Sequence, residues 1–192
     1  MAVPFSVCVF CGSRVGRNPA FIAAAAELGG GLGARGWRLV YGGGEVGLMG
    51  VVANAVLAAG GQALGLIPRR LLDREVGKRD LTELQVTETM FERKERMIAQ
   101  SDAFVCLPGG LGTLDELLEV LTLRQLGYHD KPIVLTDVAG YWNSCGALLD
   151  QVIAQGFADP SVRTLLALVP SVAVTLELLE AQRRGSGATT GG

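Results

Sequence analysis

The sequence predicts an α/β fold in which one parallel sheet carries helices on both faces. Three observations lead there. Short runs rich in valine, leucine and isoleucine alternate with longer helix-forming stretches along the 192 residues. Those short runs are continuously apolar, as befits strands buried on both faces, and such strands belong to parallel sheets covered by helices. Glycine clusters recur directly after several of them, where a strand must turn into a helix.

In chain order, Ser6–Phe10 is the first strand, and a loop follows from Cys11 to Pro19. Asn18-Pro19 marks a helix start, with asparagine as cap and proline in the first turn. The alanine-rich run from Ala20 to Arg35 is that helix, and Gly29-Gly30-Gly31 inside it implies a backbone packed closely against a neighbour. Trp37–Tyr41 is a strand running into Gly42-Gly43-Gly44, and a helix spans Gly47–Ala59. Gln62–Ile67 is the third strand, and the charged stretch from Pro68 to Asp80 reads as a loop or lid. Leu84–Thr87 is a short strand and Phe91–Gln100 a charged helix. Ala103–Leu107 leads into Pro108-Gly109-Gly110-Leu111-Gly112-Thr113, with a helix from Leu114 to Leu126. Pro132–Thr136 is a strand and Tyr141–Gln155 a helix. The apolar run Leu165–Val169 precedes a last helix, Ser171–Arg183. Gly185–Gly192 is expected to be a disordered tail. With no repeat or linker, residues 1–184 form a single Rossmann-like domain, a doubly wound parallel sheet.

Composition narrows the function. The chain is 49% hydrophobic and 19% charged, ample for a packed core. Its 17 basic and 19 acidic residues lack the basic footprint of a nucleic-acid binder, but leave room for a small anionic ligand. No apolar stretch reaches the roughly 20 residues of a membrane span, and the N-terminus lacks a basic signal-peptide region. A cytoplasmic protein without membrane contact is the expectation. Of the four cysteines, Cys8 and Cys11 form a lone C-x-x-C whose odd spacing on a strand sends them to opposite faces. They read as structural thiols, since zinc would need a second pair. His129 is the single histidine, so neither a Ser-His-Asp triad nor a histidine metal site is expected.

The chemistry gathers at the glycine loops. Cys11-Gly12-Ser13, Gly42-Gly43-Gly44 and Gly109-Gly110-Leu111-Gly112 each follow a strand and precede a helix, so all three fall at the carboxyl edge of the sheet. Glycine lets a backbone approach an anion closely, and the next helix offers free N–H groups and a positive dipole end. The third loop lacks the Gly-Lys-Ser/Thr of a P-loop and the spacing of a dinucleotide fingerprint. Thr113 is placed to cap the following helix or to meet a phosphate. Asp115 and Glu116 are placed in its first turn, where one acid complements the dipole but two beside an anion cradle suggest another task. Arg93, Lys94 and Arg96, interleaved with Glu92 and Glu95, read by themselves as a solvated helix face, though an arginine fork also suits phosphate.

Pro108–Glu116 (PGGLGTLDE) resembles the P-G-G-x-G-T-x-x-E motif of the LONELY GUY (LOG) family, which comprises cytokinin riboside 5′-monophosphate phosphoribohydrolases often mislabelled as lysine decarboxylases. Cys11-Gly12-Ser13, Tyr41–Gly50, Met90–Met97 (MFERKERM), Gln125–Pro132 and Gly140-Tyr141 extend the resemblance over most of the chain. The resemblance implies hydrolysis of the N-glycosidic bond of AMP or an N6-substituted AMP, with Arg93 and Glu116 as the catalytic pair. It further implies phosphate and ribose contacts at Lys94 and Gly110–Thr113, with Gly12, Ser13, Gly43, Gly44, Glu75, Met90, Gly109, Leu111, Gly112, Leu114, Asp115 and Thr122 as substrate-binding positions. Leu123 stands where the family usually has tryptophan. Neither metal nor redox cofactor is needed for such a cleavage. The leucines of the motif helix, Leu117, Leu118, Leu121, Leu123 and Leu126, exceed what one core face takes, and suggest a homodimer. The competing reading is a nucleotide-binding module without turnover, against which the pairing of Arg93 with Glu116 speaks. A lysine decarboxylase would need a pyridoxal-bearing lysine, and Lys94 is the only lysine near the glycine loops.

Overall fold

The computed structural model describes residues 4–72 and 77–188. Seven parallel strands form one sheet in the order β4-β3-β2-β1-β5-β6-β7. They are β1 (Ser6–Phe10), β2 (Arg38–Tyr41), β3 (Gln62–Pro68), β4 (Glu83–Thr87), β5 (Ala103–Cys106), β6 (Ile133–Thr136) and β7 (Ala167–Val169). The chain starts at the centre, winds outward to β4, and then returns past β1 to lay down β5, β6 and β7 on the other side. Strand order thus reverses between β1 and β5, and the loops after these two strands part to leave a crevice at the carboxyl edge.

The inner strands bury both faces, whereas the edge strands β4 and β7 are only partly covered. Val7 and Val9 of β1 pack with Leu28 and Leu32 of α1 (Pro19–Ala34), Val52 and Val56 of α2 (Gly47–Ala58), and Leu176 and Leu179 of α7 (Val172–Ala188). Cys8 and Phe10 point the opposite way. They pack with Met97 of α4 (Met90–Ala99), Leu117 and Val120 of α5 (Leu111–Gln125), and Leu149 of α6 (Asn143–Ala154). The two cysteines of the C-x-x-C lie on opposite faces, and all four cysteines are free thiols. Of Gly29-Gly30-Gly31, only Gly29 has the close backbone neighbour the sequence implies; Gly31 faces the Leu176 side chain and Gly30 open space. A Cβ on Gly29 would strike the Val52 carbonyl, and one on Gly33 would come within 2.7 Å of the Val56 carbonyl. Helices α1 and α2 therefore touch backbone to backbone.

Several boundaries shift by a residue or two, and four larger departures stand out. Helix α5 begins at Leu111 rather than Leu114, with Gly110 in extended conformation (φ −95°, ψ −158°) as its N-cap. Thr113 is consequently inside the helix and caps nothing, and Asp115 and Glu116 fall in the second turn. Gly112 costs a helix interior about 1 kcal/mol, which the packing of the following apolar residues outweighs. Within the charged stretch after β3, Arg69–Leu72 forms a single helical turn, α3. An unexpected 3₁₀ helix, Pro160–Leu165, is capped by the Asp159 carboxylate accepting from the Ser161 N–H. Helix α7 continues through Gly185 to Ala188, residues expected in the tail, because an established helix propagates at lower cost than it nucleates. Residues 189–192 lie outside the described part. No helix among the described residues is long and apolar enough to cross a membrane.

Candidate active site

Three loops meet at the crevice with almost no side chain between them. The Gly12 N–H donates to the Pro108 carbonyl at 3.1 Å, and the Leu48 N–H donates to the Gly12 carbonyl at 3.0 Å. The first loop is thereby clamped between the second and third. A Cβ on Gly47 would collide with the Ser13 backbone, and one on Gly109 would collide with the Thr113 side chain. Close approach of main chain to main chain is what these two glycines supply.

Beneath the loops lies a cavity of about 220 Å³. Its rim is Ser13 and the start of α5, Gly110 to Thr113; its floor is Arg93 and Glu116. Because Gly110 has no side-chain cap and α5 starts at Leu111, the first N–H groups of the helix remain available to an anion. Arg93 Nη2 stands 3.3 Å from Glu116 Oε1, while its Nε donates to the Leu66 carbonyl at 3.1 Å. That second bond fixes the guanidinium plane against β3. The residues are 9% and 8% exposed, so the pair is buried. Burial pushes the Glu116 carboxyl up to about 7, with the Arg93 charge pulling the other way and Asp115 adding to the rise. A carboxyl poised there can exchange a proton near neutrality and, when ionised, face a developing cation.

The other expected positions divide. Ser13, Met90, Gly110, Leu111, Gly112 and Thr113 line this cavity with Arg93 and Glu116. Gly12 and Gly109 line an adjoining hollow. Lys94 does not line the cavity; it is buried between Asp115 (3.1 Å) and Glu119 (3.0 Å) on α5. Asp115 is thus the partner of Lys94. Leu114 is half-buried and packs on the second core cluster. Thr122 is exposed, and its hydroxyl donates to the Leu118 carbonyl one turn back. Gly43 and Gly44 do not reach the cavity either. The Gly43 carbonyl accepts from the Lys78 N–H, and Gly44 pairs with Gly77, so together they hold the segment after α3. Glu75 lies outside the described residues. His129 sits away from the loops, with Nε2 3.0 Å from the Val120 carbonyl and its ring tilted on Phe104.

Two residues with clear tasks escape a reading of the sequence. Gly42, not Gly43, borders the cavity, because a Cβ there would strike the Arg93 guanidinium. Tyr141 donates its hydroxyl to the Gly109 carbonyl, 32 positions away in the chain. The tight turn before it, with Ala139 at φ 55° and Gly140 at φ 72°, aims the ring at the third loop. Among the described residues no group of three His, Cys, Asp or Glu side chains is placed to hold a metal ion.

The family described as "Possible lysine decarboxylase" matches residues 49–179. The chain is 44% identical over 174 residues to the cytokinin riboside 5′-monophosphate phosphoribohydrolase LOG1 of Arabidopsis thaliana, covering 91% of this chain and 82% of that one. It belongs to the LOG family. A second LOG relative, the probable cytokinin riboside 5′-monophosphate phosphoribohydrolase LOGL6 of Oryza sativa subsp. japonica, is 47% identical over 175 residues, covering 91% of this chain and 70% of that one. The fold also recurs in solved structures. The molybdenum cofactor carrier protein of Chlamydomonas reinhardtii superposes with a TM-score of 0.71 at 21% identity, covering 93% of this chain and 96% of that one. At that identity the likeness is one of fold. In this LOG chain, then, the motif PGGLGTLDE supplies both the loop and the buried Glu116.

Proposed function

We propose that this chain hydrolyses the N-glycosidic bond of AMP or an N6-substituted AMP, releasing the free base and ribose 5-phosphate. The observation that carries the reading is the buried Arg93–Glu116 pair on the floor of a cavity roofed by the first N–H groups of α5. Those amides suit the 5′-phosphate. With the phosphate held there, ribose C1′ faces the Glu116 carboxylate. As the C1′–N9 bond lengthens, positive charge grows on the sugar, and ionised Glu116 stabilises it. Water then adds to C1′, one of its protons passing to Glu116, while the base leaves with the bonding pair and takes a proton from solvent, to which Glu116 afterwards returns the one it gained. Arg93 holds the carboxylate in place. Binding energy from the phosphate, remote from the breaking bond, positions the sugar. The LOG relatives carry names for this activity, which supports the reading.

The test is release of base from AMP, N6-isopentenyl-AMP, GMP and CMP by the wild type and by Glu116→Gln. The substitution should leave nucleotide binding intact and lower turnover by at least about 100-fold. Full turnover in the variant removes Glu116 from the chemistry. Intact binding with no turnover in the wild type leaves a nucleotide-binding module instead.

The working form we propose is a cytoplasmic homodimer that binds neither nucleic acid nor membrane. Leu117 and Leu121 of α5 face the core, whereas Leu118 and Leu126 are 43% and 66% exposed, and Phe91 and Tyr128 are exposed as well. A second copy would cover them.

A further inference from the structure

Tyr141 belongs to the stretches that carry the family resemblance, yet the hydrolysis proposed above gives it no task. Its ring is held from two sides. Phe21 meets it edge-on with centroids 5.8 Å apart, and Trp142 meets it edge-on at 5.1 Å. Trp142 is 1% exposed, and its backbone N–H donates to the Asp137 carboxylate at 2.8 Å. The Tyr141 hydroxyl thus reaches the Gly109 carbonyl from a fixed base. Tyr141 and Gly109 stand outside the reaction cavity, whereas Gly110 borders it together with Gly112, Thr113 and Glu116.

The carbonyl that Tyr141 holds is part of the peptide linking Gly109 to Gly110. That peptide is trans, so its C=O and N–H point in opposite directions. With the carbonyl turned to Tyr141, the Gly110 N–H is turned away from Tyr141. The preceding peptide is tied in the same manner, its Pro108 carbonyl accepting from the Gly12 N–H at 3.1 Å. The glycines themselves do not fix the plane, because a peptide flanked by glycine on both sides tolerates either orientation. A Cβ on Gly110 would meet nothing within 4 Å, so no neighbour blocks a flip there. A flipped peptide would present a carbonyl oxygen where a donor had been, and that oxygen repels an anion. We propose that Tyr141 is a positioning residue. Its hydroxyl locks the Gly109–Gly110 peptide so that the Gly110 N–H faces the reaction cavity and donates to the substrate's phosphate. This rests on the nucleotide-cleaving reading above and adds a residue that acts on the substrate only through the main chain.

Tyr141 is 37% exposed, and Tyr141→Phe removes the hydroxyl while keeping the ring, so the core is left intact. The experiment compares this variant with the wild type. Titration calorimetry measures binding of ribose 5-phosphate, and amide NMR spectra follow the Gly110 N–H as inorganic phosphate is added. In the wild type the Gly110 amide proton should move downfield, as a charge-assisted hydrogen bond forms. In Tyr141→Phe that movement should shrink to less than half. Ribose 5-phosphate affinity should fall about tenfold, and kcat/KM for AMP should fall with it. A hydroxyl that served stability alone would not single out the Gly110 amide. An unmoved Gly110 amide in the wild type overturns the proposal, as does an undiminished movement or an unchanged ribose 5-phosphate affinity in Tyr141→Phe. The spectra and the calorimetry decide this even if the wild type releases no base from any nucleotide, an outcome that would instead overturn the functional reading.

Discussion

The role proposed for Glu116 rests on where its carboxyl is kept. Burial raises it to about 7, and the neighbouring Arg93 charge stops it from rising further. A carboxylate that must be ionised to stabilise a sugar cation is mostly protonated below that value and mostly ionised above it. The activity on AMP should therefore climb as pH rises from 6 through about 7 and level off near 8. A kcat/KM profile over that range checks it, and a flat profile would mean that another group sets the limb. The charged and titratable groups around Glu116 sharpen the expectation: Arg93 and Lys94 on α4, Asp115 and Glu119 on α5, the Cys8 thiol on β1 and the Cys11 thiol just after it. Burial pushes both thiols up, so they stay neutral over the same range. Lys94 carries a different lesson. The spacing of M-x-x-R-K-x-x-M tells which residues are adjacent on α4, but not that successive side chains diverge by about 100° around a helix. Arg93 therefore reaches Glu116 while Lys94 reaches Asp115 and Glu119.

At the scale of elements, the recurring unit is strand, glycine loop, helix, and that unit was readable because its physics is local. Apolar runs name the strands, and glycine names the turns. Less was readable where distant segments decide. The start of α5 depends on Gly109 lying against Gly12, a contact between loops far apart in the chain, with extended Gly110 as the cap that follows. Likewise, nothing near Gly42 in sequence announces that Arg93 passes over it. Substituting alanine there makes that dependence measurable. In Gly42→Ala the new methyl group meets the guanidinium and displaces it from Glu116, so kcat should drop by about 100-fold while far-UV circular dichroism stays native. Undiminished turnover would show that Arg93 has room to yield. The reading of Pro68–Asp80 as a loop or lid missed the helical turn Arg69–Leu72, and Gly77 pairs with Gly44 of another loop, a contact that no local pattern announces.

For the molecule as a whole, the reversal of strand order between β1 and β5 determines where the site must be, and the sequence pattern alone sufficed to locate that edge. Assembly beyond one chain was anticipated from the surplus of leucines on α5, and the exposed Leu118, Leu126, Phe91 and Tyr128 sharpen the expectation. Light scattering at micromolar concentration should give twice the 20.1 kDa chain mass, and Leu118→Glu with Leu126→Glu should return it to that of one chain. A single-chain mass for the wild type would rule this arrangement out.

The main-chain bonds that join Gly12 to Pro108 and to Leu48 have a consequence for how the protein comes to life. Only a fragment spanning at least residues 6–108 contains all three strands, β1, β2 and β5, whose loops those bonds join. Partly folded forms, however helical, are therefore catalytically silent, and turnover should appear in refolding only with the final cooperative step. Enzymatic assay thus doubles as a gauge of complete folding: its denaturant midpoint should coincide with that of the circular dichroism signal.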